Sequence, residues 1–281
     1  MYDLPRTAIT RFKDGSAGTV FMGPSTRQQA LIPTRLSDPA STLSNPKLRA
    51  AFAKSIDDAG IIKTFLPGAG EPLRAILPPG SWGTAKTVYK AAYDGLPEPG
   101  QDLATAKKLV AESGVPNPSV VLAVPADIPE YRAIGEVLQS NGQQAGFKVT
   151  LRALPSADFN ALFSDAKARA KVDAFFSDYF ADIPDPLELY MQIGVKGGPA
   201  NFGGYDNPEV ARLLDEARGI GDDRRRATLT TQAQKQITSD RVWLPIDYPY
   251  NTLYLKKGLA GATVGFPRTL YWPWLPDVGG R

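Results

Sequence analysis

Between Asp102 and Phe180 the chain alternates helix-like and strand-like runs joined by short links, and this rhythm constrains the fold more than any other feature. "DLATAKKLVAESG" reads as a helix capped by Asp102 and closed by Gly114. "SVVLAVPA" is an unbroken apolar run of strand length. "IPEYRAIGEVLQSNGQQAG" sets Tyr131, Ile134 and Leu138 on one helical face, and "FKVTLRAL" alternates with the period of a strand. "SADFNALFSDAKA" is predicted as a helix capped by Ser156, and "VDAFFSDYF" as a strand. Strands separated by helices and short links predict an α/β layer with crossover connections. Ligands of such sheets gather beyond the carboxyl ends of the strands. The loop "FADIPDP", Phe180 to Pro186, directly follows a strand and falls at such an end.

The flanks are less regular. Residues 1–43 read as loop with one or two strands, "GTVFMG" among them. "NPKLRAAFAKSIDDAGIIKTF" predicts one helix with Asn45 as N-cap and Pro46 as its first residue, Leu48, Phe52 and Ile56 forming a stripe. Residues 67–101 are rich in Gly and Pro and predict a long surface connection. Beyond "FADIPDP", "GVKGGPANFGGYDNP" reads as a Gly-rich loop, its "GGPANFGG" as a mobile surface turn. "NPEVARLLDEARG" and "DDRRRATLTTQAQKQITSD" read as helices, the arginines Arg224–Arg226 as solvated charge. Strands are expected around "VWLPIDYPY" and "NTLYLKKG", then an aromatic, proline-rich tail.

Two absences exclude whole classes of chemistry. The chain has no cysteine and no histidine. Disulfides, thiolate metal sites, a Ser-His-Asp triad and a histidine general base are therefore impossible within it. The net charge of +3 is too small to demand a nucleic-acid partner. Neither a dinucleotide-binding nor a P-loop glycine pattern is present. No apolar run reaches transmembrane length, and "MYDLPRTAITRF" does not resemble a signal peptide. No cofactor and no metal is expected.

The acids of "FADIPDP" leave several roles open. Asp182 and Asp185 could form an acid/base pair, but nothing in the sequence sets the carboxyl separation that glycoside chemistry needs. They offer too few oxygens for a calcium site of the usual spaced kind. Either can grip a cation. Asp182, close to Phe176, Tyr179 and Phe180, suits an ammonium group through charge-assisted hydrogen bonds and cation–π attraction. Either can instead shape the backbone, and Asp185 before Pro186 reads best as a helix cap.

The order of the blocks resembles the carboxyl-terminal half of the family 5 solute-binding proteins of ABC transporters, the oligopeptide and dipeptide group. "NPKLRAAFAKSIDDAGI", "AKKLVAESGV", "AIGEVLQSNGQQAGFKVTL", "VDAFFSDYFADIPDP" and "GGYDNPEVARLLDEARGIGDDRRRATLTTQAQKQITSDRVWLPI" carry the likeness, from about residue 40 to the C-terminus. The resemblance implies an α/β, periplasmic-binding-protein-like (class II) lobe with a crossover sheet. It divides the chain into residues 1–38, a remnant of the first lobe and hinge strand; residues 39–250, the second lobe; and residues 251–281, a tail returning toward the first lobe. It implies a non-enzymatic, extracytoplasmic binding component, periplasmic or at the cell surface. The implied partners are a peptide or small amine-bearing solute, a permease and a first lobe. Asp182 is implied as the anchor of the ligand's ammonium, with Tyr179, Phe180 and Phe176 around it. Ile183 and Ala211 depart from the family pattern, which leaves side-chain preference open. A ligand-sensing domain of a transcriptional regulator and a carboxylate-only hydrolase are the alternatives. A lone lobe is expected to bind peptide weakly or not at all, and Tyr271, Trp272 and Trp274 are expected to be exposed.

Overall fold

The computed structural model describes Leu4, residues 6–262, Val264 and residues 275–280. The expectation for Tyr271, Trp272 and Trp274 lies outside the described residues. In chain order the elements begin with α1 (Arg6–Lys13), β1 (Gly18–Gly23) and β2 (Arg27–Pro33). Next come α2 (Pro46–Ser55), α3 (Asp58–Phe65), β3 (Gly70–Pro72), α4 (Lys86–Asp94) and α5 (Leu103–Glu112). The alternating core follows: β4 (Ser119–Pro125), α6 (Pro129–Gln144), β5 (Lys148–Leu154), α7 (Ser156–Ser164), α8 (Ala166–Arg169) and β6 (Ala174–Phe180). Then come α9 (Pro186–Gly194), α10 (Pro208–Arg218), α11 (Asp223–Asp240), β7 (Leu244–Pro249) and β8 (Asn251–Lys256). Two short pieces, β9 (Leu259–Ala260) and β10 (Gly279–Gly280), pair with each other.

Six strands form the main sheet, in the order β3-β7-β2-β6-β4-β5. β4 is parallel to β5 and β6, the pairing that crossover helices produce, while β2 is antiparallel to both β6 and β7. The sheet is mixed, and β2 lies near its centre. This strand falls within residues 1–38, so part of that segment is built into the sheet itself. β1 pairs with β8 in a separate two-stranded sheet, joining that segment to the tail.

Period-two alternation divides the core between the sheet's faces. Ala30, Ile32 and Phe175 face α7, α9, α10 and α11, where Phe159, Leu189, Tyr190, Leu214 and Ile237 are buried. Leu31, Phe176 and Ala174 face the other way, toward Leu48, Phe52, Ile134 and Leu138 of α2 and α6. Each buried Leu, Ile or Phe among these contributes roughly 1.5–3 kcal/mol relative to exposure. Close packing of α6 needs Gly142: a Cβ there would come 2.7 Å from Val149 and 2.9 Å from Phe52.

Several expectations change. The single helix from Pro46 to Phe65 is two, because Asp57 accepts from the Gly60 N–H and caps a second start. Ser156 is not the cap of α7: Pro155 holds that position, and the Ser156 hydroxyl donates to Asp127 at 2.6 Å. The connection at residues 67–101 contains β3 and α4. The "GGPANFGG" stretch is no plain surface turn, since Ala200 and Phe202 in it, and Tyr205 just after it, are buried in the core. Arg226 is not plain solvated charge but half-buried and paired with Asp223 at 2.7 Å.

Candidate functional site

The site lies at the carboxyl end of β6. Tyr179 and Phe180 end the strand, Ala181 is fully buried, and Asp182 and Ile183 emerge into solvent. Phe180 and Ile183 are each 46% exposed, unusual for large apolar side chains, and they flank the exposed Asp182 carboxylate. A carboxylate between two uncovered apolar side chains is suited to a cation that carries an organic body.

Two neighbours complete the cluster. Glu188, on the first turn of α9, is half-buried, and the Asp182 backbone N–H is directed at its carboxylate. Burial pushes the Glu188 carboxyl up, and the adjacent Asp182 charge pushes it further. One Glu188 oxygen accepts from Gln192; the other is buried and has no hydrogen-bond partner among the described residues. The Tyr179 hydroxyl lies 3.3 Å from the Gln192 side-chain oxygen, toward which it donates. The Tyr179 ring packs edge-on against Trp243, with centroids 5.1 Å apart. Burial raises the Tyr179 hydroxyl, with Glu188 and Asp182 adding to the effect.

Asp185 has a different task. It is the N-cap of α9, accepting from the Leu187 N–H at 3.0 Å, and it lies 3.6 Å from the Arg226 guanidinium. Pro186 at the first helical position lacks the donor that would otherwise be unsatisfied. The loop is also held from behind, because Gly83 packs so closely on the Pro184 carbonyl that a Cβ there would collide with it.

The structure thus brings Tyr179, Phe180 and Asp182 together but not Phe176. Phe176 shares its face of β6 with Phe180, but it lies further back along the strand and is fully buried among the α2 and α6 side chains, its ring 5.1 Å from Tyr131. Its expected place in the pocket is corrected on that ground. Glu188 and Gln192 were not anticipated; their i, i+4 spacing on the helix after the loop was the available signal. Arg27 was also missed. It lies opposite Phe180 in the sheet and pairs with Asp178 at 2.5 Å. Among the described residues no cluster of acids is arranged to hold a metal.

The mixed α/β sheet with its crossover helices has the periplasmic-binding-protein-like fold. Relatives of the chain specify the family. Residues 1–201 match the bacterial extracellular solute-binding proteins, family 5, and the chain belongs to that family. It is 28% identical over 211 residues to the "Probable di/tripeptide-binding protein 5" of Pseudomonas aeruginosa, covering 74% of this chain and 38% of that protein. It is 25% identical over 233 residues to the dipeptide-binding protein DppE of Bacillus subtilis, covering 79% and 41%. The fold matches the ABC transporter substrate-binding protein CtaP of Listeria monocytogenes, with a TM-score of 0.83 at 21% identity over 99% of this chain and 55% of that one. It also matches the oligopeptide-binding protein AppA of Bacillus subtilis, solved with a nonapeptide, with a TM-score of 0.77 at 18% identity over 99% and 55%. The chain therefore spans less than half the length of these two curated relatives and just over half of the two solved chains.

Proposed function

We propose that this chain is the second lobe of an extracytoplasmic solute-binding protein that delivers peptides, or other amine-bearing solutes, to an ABC permease. The observation that carries this reading is the exposed Asp182 carboxylate between Phe180 and Ile183 at the end of β6. A peptide's terminal ammonium would take the Asp182 charge, and its first residue would cover the two apolar side chains. Glu188, with one buried oxygen lacking a partner, gives the same cation a second carboxylate behind the first. Tyr179 orients the wall of the site through Gln192. The role in this reading is binding without catalysis, in keeping with the di/tripeptide- and dipeptide-binding relatives.

In this reading residues 39–250, together with β2, form the lobe. The β1–β8 pair marks the direction of a first lobe, and the ligand is enclosed when the two lobes close. Binding energy then comes from contacts on both sides of the ligand. The location is the periplasm or the cell surface. Calorimetry of the 281-residue chain with a mixed peptide library tests the division of labour: weak or no heat is expected, and tight binding by this chain alone would overturn it.

A further inference from the structure

We propose that the chain carries a second ligand site, for a small organic anion with an apolar body, in a cavity of about 360 Å3 where β7 begins. Its walls come from the end of α2, the start of α3, the turn after α4 and the last turn of α11. The volume is at the low end of the range for small-molecule pockets. This inference does not rest on the reading of the Asp182 loop.

Charge is the first argument. Lys54, Arg74, Lys235 and Arg241 line the cavity, against the single acid Asp58. The Arg74 guanidinium is paired with Glu98 and donates to the Asp94 carbonyl. Lys54, Lys235 and Arg241 have no carboxylate within ion-pairing distance among the described residues. Asp58 is buried, and burial pushes its carboxyl up, so it is a poor counter-charge for three cations.

Arg241 supplies the second argument. It follows α11 in a left-handed conformation, φ 51° and ψ 52°, which glycine adopts more readily. The chain places an arginine there instead, and its half-buried guanidinium donates to the Ser239 carbonyl at 2.9 Å but to no carboxylate among the described residues. Burial lowers its pKa, and Asp240 only partly offsets this. Asp240 is already engaged, accepting from Tyr205 at 2.6 Å and from Gln236 at 2.9 Å. Thr238 also lines the cavity, and its hydroxyl has no partner among the described residues.

The remaining wall is apolar. Ile56, Leu73, Leu96, Trp243 and Leu244 form it, so a bare inorganic anion would leave this surface uncovered. A carboxylate or sulfonate on an aromatic or branched aliphatic body meets both demands. Trp243, which touches Tyr179, makes this wall continuous with the packing beneath the Asp182 loop.

The test is a titration of the 281-residue chain with phenylacetate, followed by the backbone amide NMR signals. Phenylacetamide serves as the neutral counterpart, and Lys235→Gln with Arg241→Gly as the variant. Glycine suits the left-handed backbone, so the variant is expected to fold, with parent-like dispersion of its spectrum. Phenylacetate should give saturable shifts at Lys54, Lys235 and Arg241, with affinity lower by about tenfold or more for the variant, which loses two cationic partners, and for the amide, which loses the charge they face. Absence of saturation, equal affinity for acid and amide, or unchanged binding by the folded variant would each overturn the proposal. Should that variant fail to fold, Lys235→Gln alone, on an exposed helical position, must still weaken phenylacetate binding.

Discussion

Asp182 and Glu188 meet across the turn between β6 and α9: the Asp182 N–H is directed at the Glu188 carboxylate, while the Asp182 side chain raises that carboxylate's pKa. One backbone donor holds together two groups whose charges repel. The two carboxylates oppose one another, and in the proposed reading an arriving ammonium ion relieves that tension.

The tension should be visible in stability. The folded-state pKa of Glu188 lies above its ordinary value of 4.5. Its contribution is therefore fully present below the unfolded value and lost as pH rises through the folded one. Glu188→Gln should flatten the stability curve above about pH 4.5 and leave the variant relatively more stable at neutral pH. Denaturation midpoints across that range check this; a slope identical to the parent's would remove Glu188 as its source.

Asp185 should matter for folding rather than for recognition. Asp185→Ala removes the cap of α9 and its contact with Arg226. The expected cost is about 1 kcal/mol, within the range for lost caps, and is read as a lower melting temperature. Discrimination between free and blocked peptide amines should be unchanged in a two-lobed protein.

Gly83 should act on the loop at a distance in sequence. With a Cβ colliding with the Pro184 carbonyl, Gly83→Ala must displace one segment or the other. Faster hydrogen exchange at the amides of Asp182 and Ile183 is the expected readout. Exchange as slow as in the parent would show that the two segments are not coupled.

Asp182→Asn keeps the side chain's size and removes its charge. In a two-lobed protein containing this lobe, affinity for a peptide with a free amino terminus should fall by about 1.5–3 kcal/mol, the contribution of a hydrogen bond to a charged group. Unchanged affinity measured by calorimetry would remove Asp182 from the site.

Local signals made much of this legible. Asn45 and Asp102 cap helices through side-chain oxygens that accept backbone N–H bonds, as their places before the apolar stripes predicted, and Asn207 before Pro208 does the same. β4, β5 and β6 declared themselves through period and composition. The misses were tertiary. Phe176 is near the loop in sequence and on the same face of β6 as Phe180, but the α2 and α6 side chains cover it completely. Ala200 and Phe202 sit among glycines that suggest a free turn, yet the Phe202 ring stacks on Trp243 at 6.1 Å, a contact across some forty positions. Glu188 and Gln192 were overlooked because a helical i, i+4 pair ordinarily reports only on its own helix.

The central claim is that Asp182 anchors a terminal ammonium. It is tested most directly by calorimetric titration of tri-alanine and N-acetyl-tri-alanine into a two-lobed protein carrying this chain as its second lobe. The account predicts that acetylation weakens binding by about tenfold or more, and that Asp182→Asn abolishes most of that difference. Equal affinity for the two peptides in the parent would contradict it.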